Sequence, residues 1–212
     1  MTSIAVALML GAVQAGSASA AVQNTQEKVR ASLTAWFKSQ GPARTRAKER
    51  ARKAVAELID FDTLAKETLG KKWNELSPKD RARYTAALKG AMEANYLTKM
   101  REGKTGDVER LRIELLGEDP QDGRVVVRTK VHAGDDTVAI DYVMEKGPKG
   151  WRAVDVITEG VSLAETYREQ VGKLLQKKTI NDVIATLERK RKQLDAELDK
   201  PAQTVGASDS QK

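Results

Sequence analysis

Two residue types that often act in catalysis are scarce in this chain, which has one histidine, His132, and no cysteine. The absence of cysteine excludes thiol chemistry. His132 stands at a predicted strand end beside a turn, the setting of a solvated imidazole. Ser162 stands at a predicted helix start, where a hydroxyl can cap the helix, and a serine nucleophile would need an adjacent base. The sequence therefore identifies no catalytic residue.

Acidic pairs occur in two predicted hairpin turns, Asp119 with Asp122 and Asp135 with Asp136. Aspartate is favoured in turns because its side chain bonds to nearby backbone groups. Neither pair has the spacing or the glycine of a calcium-binding loop, and no glycine-rich loop that could cradle a phosphate is present. We therefore expect no metal ion and no cofactor.

Asp155 differs from these acids because it lies within an otherwise apolar segment, Arg152 to Thr158. A carboxylate on a buried face needs a partner, and Tyr167 or Arg168 in the following segment could supply one. We expect Asp155 to fix the junction between this strand and the next helix. The alternative is a hinge that senses a ligand or a partner.

The central third of the sequence is predicted to form a sheet, since apolar residues alternate there with period two. The residues that share a face in the four predicted strands are Leu111, Ile113 and Leu115; Val125, Val127 and Val131; Val138, Ile140, Tyr142 and Met144; and alternate positions of Arg152 to Thr158. The turns at 119–123, 133–136 and 147–150 are short. Parallel crossovers need about a dozen residues, so this sheet should be an antiparallel meander.

Segments before and after the sheet have the spacing of amphipathic helices. Six helices are predicted. Four precede the sheet: one from Thr25 to a stop at Gly41-Pro42, one that includes the basic run Arg44–Lys53, one over Phe61–Leu69 with Gly70 as C-cap, and one from Ser77-Pro78 to about Met100. Two follow it: one over Leu163–Leu175 and one from a cap at Thr179 to Pro201. The fold class is therefore α+β, a four-stranded antiparallel meander with helices before and after it covering one face. Patterning leaves open whether sheet and helices enclose a cleft or a solid core.

The first twenty residues carry no charged side chain. An apolar run at 4–13 precedes Ala18-Ser19-Ala20, an A-x-A pattern, which predicts a signal peptide over 1–20. The run is shorter than the roughly 20 residues that cross a bilayer; an uncleaved apolar anchor is the alternative. The remaining chain is predicted to be one domain over 21–200 with a disordered polar tail at 201–212.

The formal charge of +7 favours anionic partners. Export speaks against nucleic acid, which leaves phospholipid headgroups, acidic protein surfaces or simply a soluble basic surface. The run Arg44–Lys53 is either a solvated helix face or a patch that meets a membrane or a partner. Without cysteines, burial must supply the stability of an exported chain.

Two sequence blocks resemble a known family. The first is W-x-x-x-D-V at 151–156 with E-G-V-S-L-x-x-x-Y-R at 159–168. The second comprises Phe61-Asp62, Leu64-Ala65, Thr68-Leu69-Gly70, Trp73, Leu76-Ser77-Pro78, Tyr84 and the run 92–97. These blocks are similar to the MlaC, or toluene-tolerance, family of periplasmic phospholipid-binding proteins.

The resemblance implies a carrier that buries phospholipid tails in an apolar cavity and leaves the headgroup outside. Its partners would be an inner-membrane ABC transporter complex with a lipid-binding substrate domain and an outer-membrane lipoprotein complex, in a system for outer-membrane lipid asymmetry. ATP hydrolysis would belong to the separate transporter. The expected lipid-binding residues are Val127, Ile140, Tyr142, Val154 and Val156 from the sheet and Leu69, Trp73, Tyr84, Leu88 and Tyr96 from the helices.

Two other functions compete with lipid carriage. An enzyme on a similar curved sheet would need convergent polar groups, and only Thr129, Asp155 and Thr158 are available. A protein-binding adaptor would have a filled core. The aliphatic inner face suits acyl chains better than flat rings, which more often call for aromatic platforms; aromatic residues make up 4% of the chain.

Overall fold

The computed structural model describes residues 16–102, 108, 111–133 and 136–200. Most of the predicted signal peptide and all of the predicted tail lie outside them. The helices and strands are α1 (Ala18–Lys38), α2 (Gly41–Leu58), α3 (Phe61–Leu69), α4 (Lys72–Glu75), α5 (Pro78–Glu102), β1 (Arg112–Gln121), β2 (Arg124–Ala133), β3 (Asp136–Gly147), β4 (Gly150–Thr158), β5 (Val161–Ser162), α6 (Leu163–Leu175) and α7 (Ile180–Asp199).

The sheet is an antiparallel meander in the order β1-β2-β3-β4-β5, which confirms the α+β class. The predicted strand number was wrong, because the sheet has five strands and not four. Glu159 and Gly160 have φ of 49° and 77° and fold the chain back, so that Val161 pairs with Thr158. Two positive φ values in succession are typical of a tight hairpin turn. A strand of two residues is too short to show alternation.

The first hairpin is tighter than its composition suggested. The predicted turn at 119–123 was too long, because β1 continues to Gln121, which pairs with Arg124. Only Asp122 and Gly123 form the turn, with φ of 44° and 80°. Pro120 lies within β1, where it is tolerated because an edge strand leaves one row of N–H groups outside the ladder.

The chain divides into two compact units. The sheet unit comprises Met1–Asp60 and Leu111–Leu163, and so contains α1, α2 and the sheet; the helical unit comprises Phe61–Arg110 and Ala164–Lys212, and so contains α3 to α7. The expectation of one domain over 21–200 stays a prediction.

In the sheet unit, α1 packs on β1, β2 and β4 and against α2. A buried core joins Ala18, Val22, Leu58, Val127, Met144 and Ala153. Helix α1 begins at Ala18, with Ser17 as N-cap, and therefore earlier than the predicted Thr25. Gly41-Pro42, predicted only as a stop, begins α2. The predicted cleavage point after Ala20 falls in the first turn of α1, and cleavage there stays a prediction.

The outer edge of β4 is bound to the end of α2. Ile59 forms a parallel bridge with Ala153, and the Asp60 N–H donates to the Ala153 carbonyl at 2.8 Å. The Arg152 Nη2 donates to the carbonyls of Ala56 at 2.9 Å and Ile59 at 2.7 Å. Carbonyls at a helix C-terminus lack intrahelical donors and carry partial negative charge, so this guanidinium stabilises the end of α2.

The helical unit follows the predicted boundaries closely, except for the short helix α4, which was not predicted. Gly70 has φ of 55° after α3, as a glycine C-cap requires, and Thr179 forms a capping box with Asp182 at the start of α7. Helices α5 and α7 pack together. The Arg191 side chain crosses α5 at Gly90, where an added Cβ would lie 2.6 Å from the Arg191 Cδ.

Candidate functional site

Strand register places most of the predicted sheet residues on one face. Val127 pairs with Tyr142, which pairs with Val156; in the next row Thr129 pairs with Ile140, which pairs with Thr158. Residues paired across strands share a face of the sheet. The structure therefore places Val127, Ile140, Tyr142 and Val156 on one face of the sheet, and alternation had predicted the shared face of Ile140 and Tyr142. We call the face that carries them the Tyr142 face.

The Tyr142 face has two halves with different burial. In one half, Val127, Met144 and Ala153 are fully buried in the core with α1 and α2. In the other half, Val131, Val138, Ile140 and Val156 are only partly buried. The second half therefore presents aliphatic side chains that the described residues do not cover completely.

Val154 does not follow the pattern of the other four sheet residues. Val143 of β3 pairs with Asp155 of β4, whereas the next residue, Met144, pairs with Ala153. The register shifts at this point, and Val154 lies at the resulting bulge. Its side chain is 1% exposed. A bulge adds one residue to a strand and interrupts alternation, which is why period-two reasoning could not place Val154 on a face.

Tyr142 meets a polar side chain that sequence reasoning missed. The Gln26 Nε2 in α1 donates to the Tyr142 hydroxyl at 3.4 Å. Burial raises the pKa of Tyr142 above 10.0, and the bond from Gln26 opposes that rise. A signal was present in the sequence, because Gln26 interrupts an apolar stripe with Val22 and Val29 on either side at helical spacing.

The three polar residues available for enzyme chemistry do not converge. The Thr129 hydroxyl donates to the Ile140 carbonyl at 2.7 Å, and Thr158 is exposed. Asp155 pairs with Val143, whereas the adjacent Val156 pairs with Tyr142, so Asp155 lies on the opposite face. The described geometry gives no support to the enzyme alternative.

Asp155 holds the β4 to β5 hairpin. Its Oδ2 accepts from the Ser162 hydroxyl at 2.5 Å, and its Oδ1 accepts from the Val156 N–H at 2.8 Å. These bonds support the predicted structural role, with Ser162 as a partner that was not anticipated. The Arg168 Nε, proposed as a partner from sequence, donates to the Glu67 carbonyl at 2.9 Å.

We expect Asp155→Ala to lower the free energy of unfolding by about 2 kcal/mol, since it removes a charged acceptor from a partly buried hydroxyl and a backbone N–H. Urea denaturation followed by circular dichroism measures the change. Asp155→Asn, which keeps one acceptor oxygen, is the matched control and should cost less. Equal stability of Asp155→Ala and the wild type would contradict the assignment.

Tyr84 and Leu88, predicted as cavity residues, are fully buried within the helical unit. The Tyr84 and Thr68 hydroxyl oxygens are 2.8 Å apart, and the Thr68 hydroxyl donates to the Ala65 carbonyl at 2.9 Å. Since the single Thr68 proton is used, Tyr84 must be the donor of the shared bond. Burial raises the pKa of Tyr84 to about 12.

The other helical candidates differ in exposure. Leu69 is 6% exposed, whereas Trp73 and Tyr96 are partly exposed. The Arg81 guanidinium lies 5.4 Å from the centre of the Trp73 ring, and its Nε donates to the Trp73 carbonyl at 2.9 Å. All five helical candidates belong to the helical unit, and their contribution to a lipid site stays a prediction.

His132 has ordinary surface partners. Its Nε2 lies 2.9 Å from Glu114 Oε2, and its Nδ1 lies 3.2 Å from the Thr137 hydroxyl. Within the described ranges, no group of three or more histidine and acidic side chains could hold a metal ion. No helix in the described part of the chain is both long enough and apolar enough to span a membrane.

Comparisons with known proteins found a matching family and a similar solved structure. The family model described as MlaC protein matches residues 23–189. A solved structure of the phospholipid-binding protein from Ralstonia solanacearum, in complex with a phospholipid, superposes with a TM-score of 0.71 at 21% identity. The match covers 84% of this chain and 98% of that one. No curated protein matches the sequence.

Proposed function

Because this chain belongs to the MlaC protein family, we propose that it is a periplasmic phospholipid carrier. It takes up the acyl chains of one phospholipid in an apolar cavity and exchanges the lipid with inner- and outer-membrane complexes of an Mla-type ABC transport system. That exchange serves the lipid asymmetry of the outer membrane. The family and the phospholipid-bound structural neighbour indicate binding and transport in preference to catalysis.

The observation that carries this proposal is the partly covered half of the Tyr142 face. Ile140 and Val156 present aliphatic surface there beside Tyr142, and the hydroxyl of Thr129, which pairs with Ile140, already donates to the Ile140 carbonyl. A surface with little unsatisfied polarity suits hydrocarbon, because an acyl chain cannot replace a lost hydrogen bond.

Magnitudes explain why such a carrier must enclose its ligand. Burying one methylene contributes about 0.8 kcal/mol, so two tails of roughly fifteen carbons represent on the order of 20 kcal/mol. A site that recovers most of this free energy releases lipid slowly by itself. Contact with a membrane complex that distorts the site is therefore part of the proposed cycle.

The helical candidates divide by exposure in this conformation. Trp73 and Tyr96 are partly exposed and can meet a ligand directly. Leu69, Tyr84 and Leu88 are buried, so lipid contact there requires that the side chains be uncovered. We propose that the first two contact lipid and that the last three do so only after such a change.

The test is mass spectrometry of organic extracts from the protein purified under mild conditions. We expect about one phospholipid per chain. Extracts without phospholipid would overturn the proposal and favour an adaptor with a filled core. The buried half of the Tyr142 face, where α1 packs on Val127, is the observation that favours that second candidate.

A further inference from the structure

Helix α2 concentrates the positive charge of the protein. Its 18 residues contain six lysines and arginines and two glutamates, while the formal charge of the whole chain of 212 residues is +7. More than half of the net charge therefore lies on one helix. The amphipathic pattern of α2 decides which of these cations reach solvent.

The buried residues of α2 are Ala47, Ala51, Ala54 and Leu58 together with two of its cations, Lys48 and Arg52. Some cations lie against the protein, such as Arg44, whose guanidinium is 5.2 Å from the centre of the Trp36 ring. Arg46, Arg50 and Lys53 are exposed. Their spacing of four and three residues places them on one side of the helix, and we call them the α2 basic stripe.

The α2 basic stripe lacks the close carboxylate partners that some other exposed cations have. Lys28, Lys72 and Arg83 each lie within 3.2 Å of a carboxylate. No ion pair within the described residues includes a member of the stripe, although the charge of Lys53 adds to that of Lys28 in lowering the pKa of the Glu57 carboxyl. Glu49, which lies among its members, is 3.6 Å from the Arg52 Nε and is thus partly balanced by a cation outside the stripe.

We propose that the α2 basic stripe docks the protein on the surface of an anionic phospholipid bilayer. This inference rests on the proposed function, since a carrier of membrane lipid must reach the membrane that supplies it. Charge complementarity supports a bilayer, because each cation near an anionic surface strengthens binding by about fivefold.

The composition of α2 also defines the kind of contact. Its large apolar residue Leu58 is buried, and its exposed uncharged positions are small, such as Ala43 and Thr45. Helices that insert into a bilayer present large apolar side chains between the cations. Docking through α2 is therefore superficial, reversible and weakened by salt, as suits a protein that must leave again.

The experiment is co-sedimentation of the purified protein with vesicles of phosphatidylcholine, with and without about 30 mol% phosphatidylglycerol, at low and high salt. The test variant is Arg46→Gln with Arg50→Gln and Lys53→Gln. A matched control removes three exposed cations elsewhere, as Lys177→Gln with Lys190→Gln and Lys192→Gln. Both variants lose the same net charge.

We expect the wild type to bind phosphatidylglycerol vesicles at low salt, and the stripe variant to bind at least about tenfold more weakly than the control. Absence of wild-type binding, equal binding to pure phosphatidylcholine, or equal weakening of both variants would overturn the proposal. The first result would leave an acidic protein surface as the occupant. Lipid content by mass spectrometry should match the wild type in both variants, so failure of docking is distinguishable from failure of lipid carriage.

Discussion

Tyr142→Arg should yield a folded protein with at least about tenfold less copurifying phospholipid per chain. Tyr142 lies between Val127 and Val156 in register and beside Ile140 on the same face. A guanidinium there would set a charge against hydrocarbon at a cost of several kcal/mol, and each 1.4 kcal/mol reduces affinity about tenfold. Quantitative mass spectrometry of extracts, normalised to protein, measures the loss.

Two further variants separate loss of lipid from loss of fold. Tyr142→Phe removes only the hydroxyl that accepts from Gln26 and should retain lipid. Ile140→Trp adds a ring on the same face without a charge and should reduce lipid by occupying its space. Circular dichroism establishes folding for each variant. A folded Tyr142→Arg protein with wild-type lipid content would show that this face does not contact the tails.

The second large effect is a loss of stability in alkaline solution that depends on Tyr84. Its pKa is about 12 in the folded protein against an ordinary value of 10.0. Because this pKa is raised, the folded protein keeps its full stability below pH 10 and loses stability as the pH rises to 12, since Tyr84 ionises first in the unfolded chain. The difference of two pH units corresponds to roughly 3 kcal/mol for a fully buried group.

Tyr84→Phe supplies the comparison, since phenylalanine has no proton to lose. At neutral pH the variant should be about 1 kcal/mol less stable, because one buried hydrogen bond with Thr68 is absent. Urea denaturation between pH 9 and 12 should show the two stabilities crossing near pH 11. Part of the alkaline loss should persist in the variant, because burial also raises the pKa of Tyr142 and Tyr167. Parallel pH profiles would contradict the assignment.

Local signals predicted most of the fold. Gly70 was predicted as a helix C-cap and Thr179 as a helix N-cap, and the structure confirms both. Alternation found the long strands because it persists over many residues. Asp119 to Gln121 were assigned to a turn because their composition is that of a loop, whereas pairing with β2 draws them into the sheet. Tertiary pairing here outweighs local propensity.

The candidate site was less accessible from sequence. Alternation separates the two faces of a strand but does not show what covers each face. Val127 and Ile140 have the same pattern, yet α1 buries the first and leaves the second partly exposed. Coverage depends on contacts between α1 and strands about a hundred residues away in the chain, such as that of Ser19 with Glu118. No window of local sequence contains that information.

Both edges of the sheet have features that oppose strand pairing between two copies of the chain. On the β4 side, Ile59 and the short β5 occupy backbone groups that another chain could otherwise pair with. On the β1 side, Pro120 lacks a donor and the register shifts between Leu115 and Gly117. Interrupted or occupied margins discourage strand-to-strand aggregation between molecules. Both margins of the sheet are thereby less open to pairing with a second copy of the chain.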